Sequence, residues 1–211
     1  MPLQKSIAAA CIITLVASGC ATQHGNANAI RARTALRCAA LSAGGAITGA
    51  LLGGAKGAVG GAIAGLAACA VVEMATQQTK SAAEVDSEYR ANNRNKLPAY
   101  AKIDAHNTVV TPRTPVKAGE AIKLESRIRA VSGVNEPVQE IKEALTVYAP
   151  SGEAFKRGEK VLNAVSGSGE FDNRFTLKLP AGAPQGIYKL KSQVYLNGKL
   201  KTTRESSIQL A

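Results

Sequence analysis

Glycine stands at positions 45, 49, 53, 57, 61 and 65, every fourth residue without a break. The surrounding run, Cys38 to Met74, is mostly Ala, Ile, Leu and Val, and Lys56 is its only charge before Glu73. In a helix each glycine costs about 1 kcal/mol relative to alanine, so the repeat requires packing that rewards it. A stripe of Gly45, Gly49, Gly53, Gly57, Gly61 and Gly65 leaves a groove that a second backbone can approach closely. A four-residue step advances about 400° around a helix, so the stripe drifts by about 40° per step. Over the whole repeat that drift reaches about 200°, which no straight partner could follow. Divided at Gly53-Gly54-Ala55-Lys56-Gly57, each arm drifts only about 80°. Residues 38–75 are therefore expected to form a helical hairpin turning at that break, with Lys56 at its tip.

Such a hairpin has consequences for its cysteines and its reach. Cys38 lies fifteen residues before Gly53, and Cys69 fifteen after Gly54, so folding there brings both thiols to the open end. Two readings stand side by side: a disulfide between Cys38 and Cys69, or two small residues serving in a packing stripe. Each fifteen-residue arm reaches about 23 Å, against a hydrocarbon core of about 30 Å. Full insertion, partial insertion and packing of several hairpins all remain open.

The N-terminus is read in the same way. Lys5 precedes an apolar run from Ile7 to Val16, broken only by Thr14, and the run ends in Ala17-Ser18-Gly19-Cys20. A run this short suits a removable export signal better than a spanning helix. Small residues before a cysteine resemble the lipobox of bacterial lipoproteins, although Ala17 stands where Leu is more usual. That resemblance implies a signal peptide over residues 1–19 and a diacylglycerol thioether on Cys20. Each buried methylene contributes about 0.8 kcal/mol, so several acyl chains make release from a membrane negligible. By the sorting rule of such lipoproteins, Ala21 in place of Asp implies the outer membrane. Residues 20–37 read as lipid anchor and polar tether, ending in Arg31, Arg33 and Arg37. These arginines, with Lys56, are the expected headgroup contacts, each worth about 1 kcal/mol near an anionic surface. A lipid anchor followed by glycines in register closely resembles the glycine-zipper two-transmembrane segment of outer-membrane lipoproteins of the rickettsial surface-antigen type.

Residues 76–106 turn polar and read as a helical spacer and linker, ending at Asn92-Asn93 and Pro98. From residue 107 the periodicity becomes two. Ile122, Leu124, Ser126 and Ile128 alternate with Lys123, Glu125, Arg127 and Arg129. Phe171, Asn173, Phe175, Leu177 and Leu179 alternate with polar neighbours, as do Tyr188, Leu190, Ser192, Val194 and Leu196. Alternation of this kind predicts strands with one buried face. Strands are expected near 107–111, 121–131, 139–149, 153–157, 159–164, 170–179, 186–196 and 200–210, punctuated by Pro150-Ser151-Gly152, Pro180-Ala181-Gly182 and Asn197-Gly198. Residues 107–211 thus resemble an immunoglobulin-like all-β sandwich, with Tyr188 in the tyrosine-corner role. Leu190 stands where antibody domains carry cysteine, and the chain has no Trp, so the resemblance is to the architecture of bacterial Ig-like or fibronectin-type modules. The whole chain is expected to be mixed: a helical hairpin followed by this sandwich.

No residue constellation announces chemistry. His24 and His106 lack partners at metal-ligand spacing, and Asp104 beside His106 reads as a solvated loop pair. No catalytic residue, metal or cofactor is expected beyond the acyl lipid on Cys20. A formal charge of +11 points to anionic partners such as phospholipid or acidic envelope polymers; nucleic acid is not expected. The positive strand faces with Arg127, Arg129, Lys189 and Lys191 read as solvated. The expected function is a non-enzymatic outer-membrane lipoprotein that self-associates through its zipper and presents a periplasmic interaction domain to an unidentified periplasmic protein or polymer. A pore-forming oligomer and a surface adhesin are the alternatives.

Overall fold

A computed structural model describes Leu66, Ala67 and residues 69–211. Leu66, Ala67 and Cys69 are helical, and a strand begins two residues later. Eight strands follow: β1 (Val71–Lys80), β2 (Lys102–Thr111), β3 (Ala121–Val131), β4 (Ile141–Tyr148), β5 (Ala154–Val161), β6 (Gly169–Lys178), β7 (Gly186–Leu196) and β8 (Lys199–Leu210). One helix, α1 (Ala82–Asn92), joins β1 to β2. The strands form two antiparallel four-stranded sheets, ordered β1-β6-β3-β2 and β5-β4-β7-β8.

This order is immunoglobulin-like. β2, β3 and β6 hold the places of strands A, B and E, while β4, β7 and β8 hold those of C, F and G. The Tyr188 hydroxyl donates to the Pro184 carbonyl at 2.9 Å, closing the tyrosine corner that the sequence suggests. The ring of Tyr188 meets Phe155 edge-on at 5.7 Å between centroids. Asn197 and Gly198, both at positive φ (50° and 76°), make the two-residue turn between β7 and β8.

The N-terminal side of the sandwich differs from expectation. Residues 71–75 belong to a strand and not to the zipper hairpin, and 76–80 continue that strand in place of a helical spacer. β1 takes the edge place beside β6 that strand D occupies in constant-type sandwiches. Its register against β6 puts Val72, Met74 and Thr76 opposite Leu177, Phe175 and Asn173, so tertiary pairing overrides the apolar helical context upstream. Gly158 on β5 makes room for it: a Cβ there would lie 3.0 Å from Val72 Cγ1. The sandwich therefore begins at Val71 and not at residue 107.

The expected helix exists but is not a free spacer. Ser81 and Glu84 form a reciprocal capping box that starts α1 immediately after β1. Val85 is fully buried, Asp86 accepts a hydrogen bond from Ser168, and Glu88 pairs with Lys80 and Arg129. The expected strands 153–157 and 159–164 are one strand, β5, because Gly158 continues the extended backbone instead of breaking it.

Candidate functional site

Four inner strands each carry one polar residue among apolar neighbours: Ser126 on β3, Asn173 on β6, Glu143 on β4 and Ser192 on β7. Ser126 and Asn173 are direct register partners in one sheet. In the other, Glu143 pairs with Val194 and Leu145 with Ser192, so Glu143 and Ser192 lie diagonally on one face. The sandwich brings all four together midway between two apolar clusters, one around Phe175, Leu177, Tyr188 and Leu190, the other around Phe171, Ile128, Ile141 and Leu196.

The carboxyl of Glu143 is the hub. Ser126 Oγ lies 2.6 Å from Oε1, Ser192 Oγ also bonds Oε1, and Asn173 Nδ2 donates to Oε2 at 2.7 Å. Thr76 of β1 donates to Asn173 Oδ1 at 2.6 Å, tying the edge strand into the same network. His106 Nε2 lies 3.2 Å from Ser192 Oγ, and its Nδ1 faces Thr202 Oγ1 at 3.5 Å. Arg204 Nε donates to the His106 carbonyl at 2.9 Å, so β2 and β8 close one side of the sandwich.

Burial sets the charges here. Glu143 is wholly excluded from solvent, and that burial raises its pKa despite the opposing hydrogen bonds from Ser126, Ser192 and Asn173. Burial, with a smaller contribution from the Arg204 charge, lowers His106 to about 4. Burial and the hydrogen bonds therefore act against each other at the hub. Ser192 donates to Glu143 Oε1, so its oxygen can accept from His106 Nε2–H, with Nδ1 facing Thr202.

A Ser-His-Glu grouping invites comparison with a catalytic triad, but the geometry differs. In a triad the acid holds the imidazole nitrogen remote from the serine, here Nδ1. Glu143 instead lies 4.0 Å from Nε2, the nitrogen that faces Ser192, while Nδ1 meets a threonine. All three residues are buried. What the arrangement does is join the two sheets by hydrogen bonds.

Acid titration should expose this. A neutral buried His106 stabilises the fold above its unfolded pKa of about 6.5, and the contribution falls as pH drops toward about 4. Glu143 works in the other sense: its raised pKa gives stability that is complete below its unfolded value of about 4.5 and lost as pH rises through the folded value. In urea titrations, His106→Gln should therefore lose the decline in stability between pH 6.5 and pH 4 that wild type shows.

The residues singled out from sequence fall in different places. Arg127 forms a two-pronged pair with Asp172 (2.8 and 3.0 Å) on the outer face of the first sheet. Beside it Arg174 pairs with Glu125, and these pairs cross a shallow depression flanked by Ala75, Gln77, Asn107 and Val109. Arg129 is engaged by Glu88 and Lys191 by Glu205. Asp104 pairs with Lys102, whereas His106, expected in a linker loop, is on β2 and points inward. Cys69 is disulfide-bonded. Its expected partner Cys38 lies outside the described residues, as do Cys20, Arg31, Arg33, Arg37, Lys56 and the six zipper glycines. Among the described residues no group of His, Cys, Asp and Glu has the geometry to hold a metal ion, and no helix is long and apolar enough to cross a membrane.

Sequence reading alone missed the Glu143–His106 centre. Its visible trace was the polar residue recurring inside otherwise apolar faces at Ser126, Asn173 and Ser192. Three such interruptions in a row of core strands signal a shared buried acceptor.

No family model matches the sequence, and no curated protein does. Several solved structures align with about half of the chain. A CARDB domain from Pyrococcus furiosus aligns with a TM-score of 0.38 at 12% identity, over 55% of this chain and 92% of that one. An alkylpurine DNA glycosylase from Pseudomonas fluorescens gives 0.36 at 21% identity, over 53% of this chain and 30% of that one. A β-glucuronidase from Bacteroides uniformis gives 0.36 at 15%, over 54% and 14%. The chain spans under a third of the two enzymes. The described region is an Ig-like β-sandwich.

Proposed function

We propose that this chain is a non-enzymatic lipoprotein, anchored through Cys20 in the outer membrane, that self-associates through its glycine zipper and presents the sandwich as an interaction domain on the periplasmic side. The observation that carries the reading is the order of parts. A lipobox-like Ala17-Ser18-Gly19-Cys20 precedes six glycines in register, and the last apolar residues of that run continue directly into a sandwich of interaction type. The hairpin reading returns the chain to the side of its anchor. A disulfide between Cys38 and Cys69 would close the hairpin at its open end, and the bonded state of Cys69 supports it.

The test has two parts. Cells fed labelled palmitate should label the wild-type chain and not Cys20→Ser, which should leave the membrane fraction. Replacing Gly49, Gly53, Gly57 and Gly61 by leucine should abolish detergent-resistant oligomers while leaving the sandwich folded, since its first strand begins at Val71. A Cys20→Ser chain that still labels, or oligomers that survive the leucines, would overturn the respective half. Digestion of the sandwich by protease in intact cells would favour the adhesin reading.

A further inference from the structure

The run of apolar residues does not reach the sandwich through a linker. Leu66 and Ala70 are 6% and 4% exposed and belong to the core cluster that contains Leu179, Ala183 and Tyr188. Leu66 Cδ2 lies against the turn at Gly182, and Lys156 Nζ donates to the Ala67 carbonyl at 3.1 Å. Leu66 and Ala70 are thereby seated at one pole of the sandwich, the pole formed by the turns β2–β3, β4–β5 and β6–β7.

That pole is basic, and its cations are uncommitted. Arg113 and Lys117 lie on the β2–β3 turn, Lys178 stands beside Val71 and Ala121, Lys123 beside Thr111 and Thr176, and Lys189 beside Tyr148. All five are exposed, and none forms an ion pair among the described residues. The carboxylates of this end are Glu73, Glu120 and Glu153, and Glu120 is turned back to accept the Lys117 backbone N–H. Val71 and Ile187, 47% and 58% exposed, add apolar surface among the lysines. At the opposite pole Lys80, Lys102, Arg129 and Lys142 each have a carboxylate partner, while Arg94, Lys96, Lys160, Lys199 and Lys201 are exposed without one among the described residues; what distinguishes the proximal pole is that the chain enters there.

We propose that this proximal pole rests directly on the phosphate headgroups of the membrane that holds the anchor, so that the sandwich stands upright with the β3–β4, β5–β6 and β7–β8 turns about 30 Å away, strand length setting the distance. The inference rests on the anchoring reading above. Exposed cations at a negative surface are attracted within a Debye length of about 8 Å, and apolar side chains among them enter the headgroup layer.

The chain has no tryptophan, so a single introduced one reports position. Ala181→Trp marks the exposed β6–β7 turn at the proximal pole, and Val165→Trp marks the distal pole. The full acylated chain is reconstituted in phosphatidylethanolamine–phosphatidylglycerol vesicles containing a trace of dansyl-headgroup lipid, and energy transfer is measured after flotation. Transfer from the proximal tryptophan should exceed that from the distal one by roughly twofold or more, and the excess should shrink at about 0.5 M salt, where screening is short-ranged. Lys117→Glu, Lys123→Glu and Lys178→Glu together should remove it as well. A chain that floats but shows equal transfer from both poles, or an excess indifferent to salt and charge reversal, overturns headgroup contact and leaves the anchor standing. A chain that does not float overturns the anchoring reading and this inference with it.

Discussion

Glu143→Ala should destabilise the sandwich by about 3–5 kcal/mol, because it leaves Ser126, Ser192 and Asn173 facing an empty, dry centre. Each orphaned buried polar group costs about 1–3 kcal/mol, and small domains have only about 5–15 kcal/mol in total. Glu143→Gln is expected to stay within about 1 kcal/mol of wild type, since a neutral amide has nearly the same shape and offers both a donor and an acceptor. The contrast between these variants is the informative measurement, read as urea midpoints at neutral pH. If glutamine proved as damaging as alanine, the centre would depend on the carboxyl's charge and not only on its shape and hydrogen bonds. Removing the proton also predicts a pH effect: the glutamine variant should lose the decline in stability that wild type shows as pH rises through the raised Glu143 value.

The second large effect is expected at Phe175. This side chain is fully buried in the core cluster with Leu124, Leu177 and Tyr188, and its backbone pairs with β1 at Met74 and with β3 at Leu124. Phe175→Ala should cost about 3–5 kcal/mol, the transfer of a ring plus the cavity it leaves. Ile187→Ala, at a residue 58% exposed, should change stability by less than about 0.5 kcal/mol. Equal effects at the two positions would mean that the core does not lie where the strand register places it.

Much of the sandwich was legible before its structure, for a simple reason. Strands β3 and β7 were bounded correctly because one face of each is buried, and burial of one face writes a period of two into the sequence. The turn at Asn197-Gly198 was legible because few residues accept positive φ twice in succession. The Tyr188 corner was legible from the segment leading into β7. The capping box at Ser81-Ala82-Ala83-Glu84 is a local signature for the start of α1, and it agrees with the helix expected within residues 76–106.

Other elements carried no local mark. Val71–Lys80 follows a long helical pattern, and its alternation is weak because it is an edge strand exposed along most of its length. Only the vacant place beside β6, and the room left by Gly158, makes it a strand. Glu143 sits in Ile-Lys-Glu-Ala-Leu, where Lys142 and Glu143 look like a solvated pair. His106 looked like a loop residue because β2 was thought to begin after it.

The sequence by itself determined where one-sided burial and turn chemistry leave a period or a special φ: the all-β character of the C-terminal half, most strand positions and the tyrosine corner. The tertiary structure decided what depends on residues far apart in the chain. It set the edge place of β1, the docking of α1, the direct junction at Leu66 and Ala70, and the buried hydrogen-bonded centre around Glu143. Each joins residues that are distant in the chain, and no window along the sequence contains both sides of such a contact.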